Sequence, residues 1–177
     1  MAHIPIRDDL PGIQGPMDFD PEAAEPLSRL AQVLLRRTEG LSPAERELIA
    51  THVSTLNECR FCASSHAAAA RALLGDEAPL VDAVRADAAS APLTPRMKAL
   101  LRIAGKVQRG GRGVSEEDVA AARRHGADDA VIHDTVLIAA AFCMYNRYVD
   151  GLATWAPEDP AAYEPMGAML ASQGYVR

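Results

Sequence analysis

The sequence predicts an all-α fold, a bundle of helices, on three observations. Alanine, the best helix former, makes up about a fifth of the chain. Apolar residues recur three and four apart in stretches bounded by capping residues and glycines. No stretch alternates apolar and polar residues as a half-buried strand would. At 177 residues the chain suits one domain with its own core.

The elements follow in order. Residues 1–18 carry Pro5, Pro11, Gly12, Gly15 and Pro16, and are expected to lie as an extended arm without a helix. The helical domain is expected over 19–155. Asp20 caps a first helix over 20–37, with proline at its first position and Leu27, Leu30, Val33 and Leu34 at helical spacing. Ser42-Pro43-Ala44-Glu45 is a capping box, and the helix it opens ends near Leu56. Asn57 is expected to cap the next helix, from Glu58 to about Leu74, which Gly75 closes. Further helices are predicted at 77–87, 94–108, 115–125 and 128–153, with Thr94 and Ser115 as starts and Gly110, Gly126 and Gly151 as stops or turns. Residues 156–177, with three prolines, read as an irregular tail packed on the domain, with room for one short helix.

Composition narrows the function classes. The net charge of −6, without a basic stripe, offers no electrostatic basis for binding nucleic acid or anionic lipid. The longest apolar run, Val136 to Tyr145, is too short to span a membrane, and the N-terminus lacks the apolar core of a signal peptide, so a cytoplasmic location is expected. Three cysteines are too few, and of the wrong parity, for a disulfide scaffold, so their meaning must come from spacing.

That spacing is informative in Cys59-Arg-Phe-Cys62-Ala-Ser-Ser-His66, read at the start of a helix. Residues three and four apart share a helix face, which brings two sulfurs and an imidazole together. The unpaired amides of a helix N-terminus favour an anionic sulfur, and a second thiol in the same turn can resolve an oxidised first one as a disulfide. A thioredoxin-like reading lacks its βαβ context. Structural zinc would draw on Cys59, Cys62 and His66 but lacks a fourth ligand, and two core cysteines beside a core histidine remain a further reading. Glu47 lies on the preceding helix of what reads as a tight hairpin, where a carboxylate can reach the imidazole or a thiol; alone it would read as a solvated first-turn acid.

Glu47, eleven residues, Cys59-x-x-Cys62, three residues, His66 resembles the core signature of the AhpD-like alkylhydroperoxidases within the carboxymuconolactone decarboxylase superfamily. The likeness spans roughly residues 20–153, and Val53 to His66 and Phe142 to Gly151 are similar to its peroxidase-related branch. The resemblance implies an oligomeric all-α AhpD-like bundle and a thiol-dependent peroxidase without a cofactor or bound metal. Cys62 would attack the hydroperoxide, Cys59 would resolve it and later meet the electron donor, and Glu47 and His66 would relay the proton. An external thiol or dithiol, such as a lipoylated or thioredoxin-like protein, would restore the dithiol. Phe61 stands where the best-studied members carry a second histidine, which shortens the relay. The alternatives are a decarboxylase-type member, which has no use for a paired dithiol, and a redox-sensing or zinc-binding oligomer.

The remaining polar residues read as structural. His52 points about 140° away from Glu47 around their helix and suits the core or an interface. Asn146, Arg147 and Asp150 read as a helix-end group, with an Arg147–Asp150 pair, fixing an oligomer contact. Cys143 reads as inert. The segment Val136 to Tyr145 is apolar nearly all round and is expected to be buried on every side, partly by a second subunit. Ala67 to Ala70 reads as a surface for close approach between subunits.

Overall fold

A computed structural model describes residues 2–176. Its helices are α1 (Gln14–Phe19), α2 (Pro21–Arg36), α3 (Pro43–Leu56), α4 (Arg60–Leu74), α5 (Pro79–Asp87), α6 (Pro95–Arg109), α7 (Glu116–Arg124), α8 (Asp129–Gly151) and α9 (Glu164–Gln173), with single 3₁₀ turns at 75–77 and 160–163. No strand occurs among the described residues.

The predicted starts are the observed ones wherever a side chain caps the helix. Asp20 accepts from the Ala23 amide, Thr94 from Met97 and Asp128 from Val131. Ser42 and Ser115 each close a full capping box with Glu45 and Asp118. The core lies where α3, α6 and α8 meet, around Leu48, Ile49, Val53, Leu100, Leu101, Ile103, Ile138 and Phe142. A smaller apolar cluster gathers Cys59, Phe61, Cys62, Ala68, Val149 and Tyr163 at the start of α4.

The N-terminal arm carries a helix that the sequence reading does not expect, and the tail carries the one short helix that it allows. The arm contains α1 in spite of Pro16, because that proline stands in the first turn, where its missing N–H has no intrahelical partner to lose. The arm is tied to the far end of α8: the His3 amide donates to Leu152 O at 2.9 Å and the Gly12 amide to Trp155 O at 2.9 Å. In the tail, α9 is a ten-residue helix that packs on α4. It does so through Gly167, where an added Cβ would lie 2.5 Å from the carbonyl carbon of Ala68. Ala68 is therefore covered by the chain's own α9, Ala67 and Ala70 belong to the main core, and the expected subunit contact is not needed to bury Ala67 to Ala70.

The expectation for α8 also changes. Leu137, Ala140 and Met144 are exposed on one face, so the apolar run is not buried all round. Asn146 turns inward, almost fully buried, donating to Ser54 Oγ at 3.1 Å and accepting from Asn57 at 2.8 Å. Arg147 donates to the Cys143 carbonyl at 2.8 Å rather than pairing with Asp150. The buried amide tied α8 to the α3–α4 turn because Asn57 and Ser54 offer it both a donor and an acceptor, which a helix-end ion pair in water would not match. Cys143 is half-buried and accepts from Asn57 at 3.7 Å, and His52 packs against Gly105 of α6.

One buried cation holds the α2–α3 connection. Arg46 donates to the carbonyls of Leu34, Glu39 and Leu41 at 3.0, 2.8 and 3.2 Å and pairs with Asp134 at 2.8 Å. Each of its three nitrogens faces an acceptor, which a buried guanidinium requires. The bracing sets the end of α2 beside the start of α3, and so places Arg36 next to Glu47.

Candidate active site

The turn between α3 and α4 has only three residues, Asn57, Glu58 and Cys59. Glu58 adopts a left-handed backbone (φ 57°), and the Cys59 amide donates to Ser54 O at 3.1 Å. Asn57 thus ends α3, and the cap of α4 is Cys59, two positions later than expected and without a side-chain capping bond. The left-handed residue lets the chain reverse at once, so that α3 and α4 pack as a hairpin. Cys62 then falls in the first turn of α4 and His66 one turn further on.

The four residues singled out by spacing converge, though not on one surface. Cys62 and His66 line a cavity of about 860 Å³ together with Ser65, Phe142, Tyr145 and Tyr175. Glu47 is fully buried beneath the imidazole, with Oε2 2.8 Å from His66 Nδ1. Cys59 lies outside the helix face and has no exposed surface, so it does not open to the cavity. Cys59 packs instead in the apolar cluster with Phe61, Val149 and Tyr163. Its hydrogen bond to Cys62, and then burial, push the Cys59 thiol far up, so it keeps its proton.

Two further residues complete the site. Arg36, the last residue of α2, places NH2 2.8 Å from Glu47 Oε1. The Tyr175 hydroxyl, beyond the end of α9, donates to the same oxygen at 2.6 Å and lies 3.2 Å from His66 Nδ1. Burial alone would raise the Glu47 carboxyl, but His66, Arg36 and Tyr175 outweigh it and hold the group below the usual carboxylate range. An ionised carboxylate can only accept, so His66 donates from Nδ1, and the neutral imidazole has its lone pair on Nε2. Burial, and then the charge of Glu47, raise Tyr175 well above its ordinary range, so it remains a donor. The edge of Phe142 packs against the His66 ring at 4.6 Å between centroids.

Sequence reasoning missed Arg36 and Tyr175. Arg36 stands beside Arg37 at the end of a helix, where either reads as a solvated charge, and Tyr175 lies in a segment read as irregular. Among the described residues no group of three or more His, Cys, Asp or Glu is arranged to hold a metal ion. Among the described residues no helix is long and apolar enough to cross a membrane.

Residues 21–106 match the carboxymuconolactone decarboxylase family. The fold is similar to the alkylhydroperoxidase AhpD core of a peroxidase-related protein from Ralstonia eutropha JMP134, with TM-score 0.78 and 26% identity over 90% of this chain and 82% of that one. It is likewise similar to a peroxidase-related protein from Silicibacter sp. TM1040, with TM-score 0.77 and 29% identity over 87% of this chain and 78% of that one. No curated protein matches the sequence.

Proposed function

We propose that the chain is an AhpD-like member of the carboxymuconolactone decarboxylase superfamily, of the peroxidase-related branch, and that it is a thiol-dependent peroxidase working through a Cys59/Cys62 dithiol. The observation that carries the reading is the convergence of Cys62 and a Glu47-oriented His66 on one cavity, with a second, protonated thiol directly behind Cys62.

In this reading His66 Nε2 takes the Cys62 proton, and the sulfur attacks the outer peroxide oxygen. An S–O bond forms, the O–O bond breaks, and the alcohol leaves with the proton that His66 returns. Sulfur has given two electrons to the peroxide, and Cys62 is left as a sulfenic acid. Cys59 then attacks that sulfur, water leaves, and the Cys59–Cys62 disulfide closes. An external thiol or dithiol, such as a lipoylated or thioredoxin-like protein, reduces it and regenerates both thiols. The protein acts in the cytoplasm as a homo-oligomer, a state supported by the exposed apolar face of α8 at Leu137, Ala140 and Met144.

The test is anaerobic oxidation by one equivalent of tert-butyl hydroperoxide. The thiol count is expected to fall by two, with peptide mapping finding Cys59 joined to Cys62 within one chain. His66→Ala and Glu47→Gln are expected to slow the reaction about a hundredfold or more, the usual worth of a positioned base. Intermolecular bridges alone, or equal rates in wild type and both variants, would overturn the reading.

A further inference from the structure

We propose that Tyr175 is a positioning residue of the proton relay: its hydroxyl clamps Glu47 and the Nδ1 edge of His66, so that Nε2 is presented to Cys62. This rests on the reading of His66 as the base. The groups facing Glu47 of α3 come from three other parts of the chain: Arg36 from α2, His66 from α4 and Tyr175 from the segment after α9. Oε2 serves His66 alone, while Oε1 is shared by Arg36 and Tyr175. Without the hydroxyl, Oε1 keeps only the ion pair, and the carboxylate gains freedom to turn about the bond that orients the imidazole.

The placement of Tyr175 is itself over-determined. Gly174 ends α9 with φ 79°, its amide donating to Leu170 O at 3.0 Å, and an added Cβ there would lie 2.2 Å from Gln32 Oε1. The next amide, that of Tyr175, donates to that same Gln32 oxygen at 2.7 Å. The phenol ring lies under the Arg36 guanidinium at 4.9 Å and nearly parallel to the His66 ring, 6.0 Å between centroids and 16° between planes. Arg36 in turn donates to Leu170 O at 2.8 and 3.2 Å, so one arginine ties α9, Tyr175 and Glu47 together. A surface tyrosine packed for stability alone would not need its hydroxyl on a buried carboxylate. Because the phenol keeps its proton, it orients the relay and does not itself carry the proton onward.

Tyr175→Phe keeps the ring and removes the hydroxyl. Single-turnover oxidation by tert-butyl hydroperoxide, followed against peroxide concentration from pH 5 to pH 9, should show the maximal rate falling about tenfold, as for loss of a hydrogen bond to a charged group. The half-saturating peroxide concentration should stay near wild type. The acid limb should move to higher pH, because Glu47 loses a donor and takes up a proton more readily; Arg36 and His66 face the same carboxylate, and Asp18, Glu25, Arg29, Cys62 and Tyr145 are the other titratable groups lining the cavity, all kept in the variant. An unaltered maximal rate and acid limb would overturn the clamp. Gln32→Ala, which releases the Tyr175 amide and leaves every relay group in place, is the second arm, and should lower the rate in the same direction even if Tyr175→Phe fails to fold; a wild-type rate there also overturns the proposal. Wild-type protein that loses no thiols to the peroxide would overturn the peroxidase reading and the clamp together, whereas reactive wild type with unaffected variants overturns the clamp alone.

Discussion

Gly167→Ala is expected to destabilise the protein, whereas the same exchange at Gly151 stabilises it. An added Cβ at Gly167 would stand 2.5 Å from the carbonyl carbon and Cβ of Ala68 and 2.8 Å from its oxygen. Carbon atoms settle at about 3.5 Å, so α9 must retreat from α4 by about 1 Å. The obstructing atoms are helix backbone, which cannot swing aside as a side-chain tip would. Overpacking of this kind costs about 1–3 kcal/mol, and the better helix propensity of alanine returns up to about 1 kcal/mol. The net loss is then about 1–2 kcal/mol, or about 3–6 °C in Tm for a chain of this length. At Gly151, the last residue of α8, nothing lies within 4 Å of the added Cβ, and a gain of up to about 1 kcal/mol is expected. Urea unfolding at pH 7, with unchanged slopes, measures both. Since Tyr175 directly follows the end of α9, the retreat also takes its hydroxyl away from Glu47, and Gly167→Ala should oxidise more slowly than Gly151→Ala. Equal shifts of the urea midpoint in the same direction for the two variants would refute the close-approach argument.

Two other predictions concern acid and assembly. Asp118, held down chiefly by its hydrogen bond from Lys106, and Glu47 and Asp134, where His66 and Arg46 respectively overcome the effect of burial, all sit below the usual carboxylate range. Their contribution to stability is fully present above the unfolded-state values near pH 4 and is lost as pH falls through the lower native values, so the urea midpoint should drop steeply below about pH 4; a midpoint flat from pH 7 to pH 3 would contradict this, and Asp118→Asn should flatten the curve. Sedimentation at micromolar concentration should show an oligomer that Met144→Glu, on the exposed face of α8, dissociates; a stable wild-type monomer would reject the interface.

What the sequence determined by itself is what short-range physics controls. Caps such as Ser42 with Glu45 and Ser115 with Asp118 act within one turn, so the starts of α3 and α7 could be read directly. The placing of Cys62 and His66 one turn apart follows from helix geometry alone, and Glu47 came within reach because a tight turn leaves a hairpin little choice. Tertiary structure decided the rest. The small residues Ala67 to Ala70 told that a neighbour could approach closely but not which one, and at Ala68 it is α9 of the same chain, while Ala67 and Ala70 join the main core. Periodicity also could not tell Arg36 from Arg37, or mark Tyr175 as special, because their roles exist only where α2, α3, α4 and the end of the chain meet. Tyr175 is 128 residues from Glu47 in sequence and 2.6 Å from it in space. Caps and helix faces are set by neighbours a few residues away, whereas a buried carboxylate draws its partners from whatever the packing of the whole chain brings to it, and that selection leaves no local pattern to read.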